Sequence, residues 1–365
     1  MSVTNLLQFH EEHGADFGER GGRRVALHYG RPERSHRAVR NGAGVIEMAY
    51  GVLTVEGDDR VEYVDNVVSN RVPENEGAGC YALLLDPQGR IERELYVYNA
   101  GERLQIFTPP GHARPLAETW RERVFIQDVE IDVASDDVTV FGVHGPTATE
   151  KIASVLSGPA TPAEPLTFVR GAMDDAGVTV IASDAPTGEE GFEVVCASAD
   201  APSVVDTLIN RGPSAIPFGY RTWETLTLEA GTPLFETELE GTVPNVLGLR
   251  FALDFEKGCY VGQEVVSRIE NRGRPSRRLA GLACEALPER GAALFEGDES
   301  AGEVTRAAES PVLGMPIALA LVPYELEADE LTVRIDGEER RATVTTELPF
   351  VEGSDRSRRL PSYEP

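Results

Sequence analysis

The feature that most restricts how this chain can fold is a change of rhythm at Asn271–Arg278. That stretch reads Asn-Arg-Gly-Arg-Pro-Ser-Arg-Arg, and beyond it short β-rich runs recur at close spacing: Leu279 to Cys284, Gly302 to Ala307, Pro316 to Val322, Leu331 to Ile335 and Arg341 to Thr345. Runs of this length, divided by turn residues with no helical period between them, predict a small β-barrel or sandwich over 276–351. The polar residues 352–365 read as a mobile tail.

Upstream, residues 1–272 form a different pattern. The chain has 365 residues, more than one hydrophobic core supports, so a body of two lobes beside the barrel is expected. Helical stretches at 3–13, Pro32 to Arg40, Asp58 to Ser69, His112 to Glu122 and Thr147 to Leu156 alternate with β runs. The first clear β run is Gly51 to Val55, followed by Tyr81 to Leu85, Leu95 to Tyr98, Leu104 to Phe107 and Val138 to Val143. The body therefore reads as α+β with mixed or antiparallel sheets. Ser157 to Pro165 holds three prolines and is expected to be a loop dividing the body into halves.

Composition narrows the function. With 61 acidic against 34 basic residues the net charge is −27, which opposes phosphate backbones and anionic membrane surfaces. Nucleic acid and membrane are thus not expected partners. The carboxylate-rich surface suits a salt-rich cytoplasm, as in a halophilic organism, where screening suppresses self-repulsion. Lysine occurs only as Lys151 and Lys257. Cys80, Cys196, Cys259 and Cys284 are far apart, so neither a zinc ribbon nor a disulfide framework is indicated, and a reducing, cytoplasmic compartment fits. The longest apolar stretch, Ile317 to Val322, is too short to cross a bilayer.

Three segments could carry chemistry. Lys257-Gly258-Cys259-Tyr260-Val261-Gly262-Gln263-Glu264 leads into a helix expected from Gln263 to Ile269, which sets Cys259 before a helix N-terminus and two residues from a cation. Both features favour a thiolate, although a free cysteine is as often a small buried hydrophobe. In a chain that uses arginine almost everywhere, lysine at 257 indicates that a compact ammonium is wanted. The second segment, Thr187-Gly188-Glu189-Glu190-Gly191-Phe192-Glu193, is a glycine-bounded turn feeding a strand. There Phe192, Val194 and Cys196 share one face and Glu193 takes the other, as either a solvated strand glutamate or an acceptor for the paired N–H groups of a pterin. The third places Glu94 at the start of the strand Leu95 to Tyr98, where it either pairs with a turn arginine or exchanges a proton with a ligand amine. His10 and His13 lack a third ligand, and no metal is expected.

Together these segments resemble the glycine-cleavage T-protein superfamily over nearly the whole chain. His10 to Ala15, Ser35 to Arg40 and Gly42 to Met48 are similar to that family's opening, Thr187 to Glu193 to its folate-site signature, and Gly302 to Thr305, Ser310-Pro311 and Pro316 to Val322 to its C-terminal barrel. The resemblance implies a three-lobed ring with a C-terminal β-barrel around tetrahydrofolate. It assigns Glu193, Gly191, Arg221 and Tyr81 to folate binding and Glu94 to the family's acidic position. Lys257 to Glu264 is similar to the signature of the YgfZ branch, whose members use folate and a motif cysteine in maturing or repairing iron–sulfur enzymes, which implies functional roles for Cys259 and Lys257.

Two positions depart from T-proteins: Glu94 stands where they place aspartate, and Thr222-Trp223-Glu224 where they carry Ala-Arg-Asp, leaving Arg221 as the nearby arginine. On this evidence the chain is expected to be a folate-binding protein serving iron–sulfur enzymes. The alternatives are an aminomethyltransferase or related folate-dependent transferase working with a lipoylated carrier protein, and a non-catalytic folate-binding scaffold.

Overall fold

The computed structural model describes residues 6–345 and 350–351. Its first sheet has five antiparallel strands in the order Gly79–Leu85, Ile91–Asn99, Arg103–Thr108, Gly51–Glu56 and Glu130–Val133. Alternation along the strands sorts the side chains by face. Ala82, Leu84, Leu95, Val97, Leu104 and Ile106 pack beneath the helices Arg60–Val67 and Ala113–Arg121. Tyr81, Leu83, Tyr96, Tyr98 and Phe107 take the opposite face and belong to the central core.

The second sheet runs Phe168–Met173, Ala176–Ala182, Gly191–Ala197, Val138–His144, Ala43–Met48 and Ala215–Pro217, with only the last pair parallel. Phe192, Val194 and Cys196 pack with Ile152 and Val155 of the helix Ala148–Val155 and with Val204, Val205 and Leu208 of the helix Ala201–Asn210. The parity read from the sequence therefore holds, and Glu193 turns to the centre of the molecule on the same side as Val195. The third unit is a closed six-stranded barrel, Arg277–Cys284, Met315–Pro323, Glu299–Ser310, Ala293–Glu296, Glu330–Ile335 and Glu338–Thr345, filled by Leu282, Val304, Ala318, Ala320 and Val333.

Several expectations need correction. The first β structure is not at Gly51: a hairpin of Ala15–Arg20 and Arg23–Tyr29 and the strand Ala43–Met48 precede it. The hairpin strands, Ala-Asp-Phe-Gly-Glu-Arg and Arg-Arg-Val-Ala-Leu-His-Tyr, alternate only briefly, at Val25, Leu27 and Tyr29, beside the charged run Glu19 to Arg24, and the pair lies outside both large sheets. The barrel strand Ala293–Glu296 has four residues and carried no signal. Ser157 to Pro165 does not divide the body into halves, since Ala43–Met48 and Val138–His144 lie before it yet pair within the second sheet. Residues 352–365 are outside the described residues. Among those described, no helix is long and apolar enough to cross a membrane.

The barrel is tied to the body by buried polar contacts. Arg306 donates to Thr227 Oγ1 at 2.8 Å and to the Thr232 carbonyl at 2.6 Å, and its Nε lies 3.5 Å from Glu238. Ser310 Oγ donates to Glu229 Oε1 at 2.6 Å, while His36 and Arg40 hold Oε2 of the same carboxylate at 2.8 and 2.9 Å. Burial alone would raise the Glu229 carboxyl, but these hydrogen bonds and charges hold it below the usual carboxylate range.

Candidate functional site

The three units surround a central cavity of about 610 Å³. The first sheet contributes Glu94 and Tyr96, the second Met48, the helix Tyr220–Glu229 Trp223 and Glu224, and the barrel Thr305 to Glu309. Tyr50 and Tyr96 also line a small adjoining chamber of about 10 Å³, space for about one water, whose lining includes Asp184 and Glu193. The walls are aromatic: Tyr50 stacks on Phe107 at 5.3 Å, and Tyr81 lies 5.0 Å from Tyr96.

Glu193 is 5% exposed and has one weak contact, the Tyr50 hydroxyl donating to Oε1 at 3.4 Å. Its Oε2 is buried without a partner. Burial, and after it the neighbouring Asp184 carboxylate, push this carboxyl up to about 8 despite Tyr50. An acid left unsatisfied behind an open cavity is what a donor-rich ligand would complete. Glu94 faces the main cavity, and the Tyr81 hydroxyl donates to its Oε2 at 2.9 Å, so two residues assigned separately from the sequence stand together.

The other candidates fall elsewhere. Arg221 is exposed on the cavity wall, whereas Trp223 is buried there with its ring 5.1 Å from that of His144. Gly191 is needed for internal packing: a Cβ would come 2.5 Å from His144 Nδ1 and 2.6 Å from Ser183 Oγ. His144, driven down to about 3 by burial, stays neutral. Neither Lys257 nor Cys259 lines the cavity.

Lys257 does not serve Cys259 in the way the spacing suggests. Its ammonium donates to the carbonyls of Val68 at 3.0 Å, Asn70 at 2.9 Å and Asp65, with the Asp65 carboxylate at 3.3 Å. It therefore caps the C-terminal end of the helix Arg60–Val67, where three carbonyls converge on one small cation. Lys151 does the same for the carbonyls of Arg211 and Pro213. Both lysines of the chain are buried carbonyl caps, a geometry that the flat guanidinium cannot match. Gly262 has φ +82, and a Cβ there would meet the Asp86 carbonyl at 2.6 Å, so this motif also docks on the turn that leads to Glu94. Lys257→Met should lower unfolding free energy by about 3 kcal/mol, since it strips a buried charge from those carbonyls. Urea denaturation in high salt measures this, and an unchanged midpoint would show that the cap is not formed in solution.

Cys259 is the one exposed cysteine, all four lying among the described residues. Burial pushes Cys80 and Cys196 up to about 12 and Cys284 up to about 11. Alkylation of the native protein at pH 8 should therefore modify Cys259 alone, with the other three appearing only on unfolding. Peptide mass spectrometry reads the outcome, and equal labelling of a second cysteine would contradict this burial pattern.

Two family models match the chain: the glycine cleavage T-protein (GCVT) N-terminal domain over residues 6–257 and the glycine cleavage T-protein C-terminal barrel domain over 277–352. The chain belongs to the glycine cleavage T-protein family. It is 28% identical to the aminomethyltransferase of Bacillus subtilis (strain 168), covering 95% of this chain and 98% of that protein. It is 29% identical to the aminomethyltransferase of Symbiobacterium thermophilum, covering 96% and 97%. The crystal structure of glycine cleavage system aminomethyltransferase T from Bartonella henselae superposes with a TM-score of 0.85 at 24% identity, over 95% of this chain and 97% of that one. The α+β ring with its C-terminal barrel is thus the T-protein fold. The family uses tetrahydrofolate. The donor-accepting chemistry present fits that cofactor: the orphaned Oε2 of Glu193 lies in a small aromatic chamber, itself too narrow for a pterin ring, that adjoins a cavity of about 610 Å³. Sequence reasoning missed Tyr50 and Asp184, which no period or motif marked, and Tyr96, whose position two residues after Glu94 in the same strand was the available signal.

Proposed function

We propose that this protein is a tetrahydrofolate-dependent one-carbon transferase of the aminomethyltransferase type, taking its one-carbon unit from an amine, with a lipoylated carrier protein as donor. The observation that carries this reading is the unsatisfied, buried carboxyl of Glu193 behind a cavity that also holds Glu94. When bound, tetrahydrofolate supplies the nucleophilic nitrogen that accepts the carbon. Glu193 accepts the paired N–H groups of the pterin, and Tyr50 and Tyr96 flank the ring and exclude water. Glu94, oriented by the Tyr81 hydroxyl, holds and moves the proton exchanged with the donor amine.

Glu193 makes this reading testable by proton linkage. The free carboxyl, near 8, carries a proton at pH 7, and accepting two N–H donors favours the ionised form. Binding should therefore release close to one proton per ligand at pH 7. Affinity should rise about tenfold per pH unit below 8 and level off above it. Calorimetry in buffers of different ionisation enthalpy measures the proton directly. Tight, pH-independent binding would remove Glu193 from the site.

The iron–sulfur reading keeps one observation in its favour, the exposed thiol of Cys259 within its motif. It differs from the transferase reading in a simple way. A transferase built as above keeps full activity as Cys259→Ser, because that side chain lies outside the cavity; a protein acting through the motif thiol does not.

A further inference from the structure

One buried guanidinium joins the anchor of the barrel to the turn that shapes the Glu193 chamber. Residues 183–191 fold back on themselves, the Ser183 N–H donating to the Gly191 carbonyl at 3.0 Å and the Gly188 N–H to the Ala185 carbonyl at 2.9 Å. Ser183, Asp184 and Pro186 of this turn line the chamber, and the strand Gly191–Ala197 that leaves it carries Glu193. Thr187, in the middle of the turn, is fully buried, and its carbonyl accepts from Arg40 Nη1 at 2.7 Å. A buried carbonyl without a donor is costly, so this bond fixes where the turn sits.

Arg40, on the helix Pro32–Asn41, is held from the other side by the barrel's own anchor. Its Nε and Nη2 donate to Glu229 Oε2 at 3.1 and 2.9 Å, and Nη2 also donates to the Leu226 carbonyl at 3.1 Å. The second oxygen of Glu229 accepts from Ser310 Oγ of the barrel at 2.6 Å. Barrel, the helix Tyr220–Glu229 and the chamber turn therefore meet through one side chain that is 8% exposed. A planar fork of five N–H donors reaches all these acceptors at once, which an ammonium with its donors on a single atom does not. Along Ser310, Glu229, Arg40 and Thr187 every link is a buried hydrogen bond, so losing one leaves a polar group unsatisfied and shifts its neighbours.

We propose that Arg40 is a positioning residue for Glu193, coupling the seating of the barrel, through Ser310 and Glu229, to the closure of the chamber. Arg40 lines neither the cavity nor the chamber, so it acts through the turn and not on a ligand. Its effect on affinity rests on the folate reading above; its effect on the Glu193 carboxyl does not. Burial is the largest cause of the high value of that carboxyl, so a turn released from Arg40 admits water and moves the titration down. Asp184, Tyr50, Tyr96 and Tyr98, the other ionisable groups lining the chamber, stay in place in every variant below.

The test follows the infrared band of the protonated Glu193 carboxyl, assigned by its loss in Glu193→Gln, across pH in the full chain in high salt. Arg40→Lys keeps the charge but not the fork and should lower the midpoint from about 8 by at least about one unit. Ser310→Ala, on the barrel side, should lower it by about half a unit. Thr305→Val removes a different barrel contact, the hydroxyl lying 2.9 Å from Glu238 Oε1 and 3.1 Å from the Leu319 carbonyl, and should leave the midpoint in place. Tetrahydrofolate affinity should fall about tenfold in Arg40→Lys. Melting temperatures show which variants are folded, and Ser310→Ala, which loses a single hydrogen bond, decides the matter if Arg40→Lys does not fold. An unmoved midpoint in folded Arg40→Lys or in Ser310→Ala, or an equal shift in Thr305→Val, would overturn the coupling. Shifted midpoints in a protein that binds no tetrahydrofolate would support the coupling and overturn the folate reading instead.

Discussion

Glu193→Gln is expected to weaken tetrahydrofolate binding by about 10- to 100-fold and, without ligand, to make the protein more stable near pH 8. The binding loss follows from replacing a charged acceptor by an amide whose N–H faces the pterin donors. The stability gain follows from linkage. The folded state raises this carboxyl from its ordinary 4.5 to about 8, so between those values the folded chain keeps a proton that the unfolded chain releases. Wild-type stability should accordingly fall as pH rises through that window, by up to about 1.4 kcal/mol per unit. A glutamine has no proton to lose, and its contribution is flat. Thermal melts at pH 8 should therefore show the variant above wild type when free, with that margin shrinking by about 1.4–2.7 kcal/mol in saturating tetrahydrofolate. A variant that melts below wild type in both conditions and binds normally would mean that Glu193 supports the fold and not the ligand.

Glu94→Gln should act on the reaction and spare binding. Its carboxylate lines the main cavity and not the chamber of Glu193, so on the proposed reading tetrahydrofolate affinity should change less than about threefold while single-turnover transfer slows by about 10²- to 10⁴-fold. Tyr81→Phe removes only the hydrogen bond that orients Glu94 and should give a smaller loss. A Glu94→Gln protein that transfers at the wild-type rate would leave the acidic position without a role in proton movement, whatever its binding.

What the sequence revealed and what it concealed divide along physical lines. The barrel was legible because short β-rich runs recur at close spacing between turn residues, and the parity of Phe192, Val194 and Cys196 correctly sent Glu193 to the other face. That this other face is buried was not legible. It is covered by Tyr50, in a loop 143 residues upstream, and by Tyr96, in the strand read at Leu95 to Tyr98, and nothing in the sequence shows that these lie opposite Glu193. Lysine at 257 was read correctly as a demand for a compact ammonium, but the groups that demand it are carbonyls nearly 190 residues upstream, so spacing to Cys259 misdirected the reading. Asp184 sits in an irregular turn whose left-handed neighbour is an alanine, where a turn-minded reader looks for glycine. The Ala15–Tyr29 hairpin was missed because charged residues and glycines from Gly18 to Arg24 interrupt its short apolar alternation.

The most direct test of the account is the tetrahydrofolate-dependent release of ammonia from an aminomethylated lipoyl carrier protein, followed in high salt with wild-type protein, Cys259→Ser and Glu94→Gln in parallel. Release should require tetrahydrofolate, be unchanged in Cys259→Ser and fall by at least about a hundredfold in Glu94→Gln. Release by Glu94→Gln at the wild-type rate, or tight tetrahydrofolate binding with no ammonia released by the wild-type protein, would contradict it.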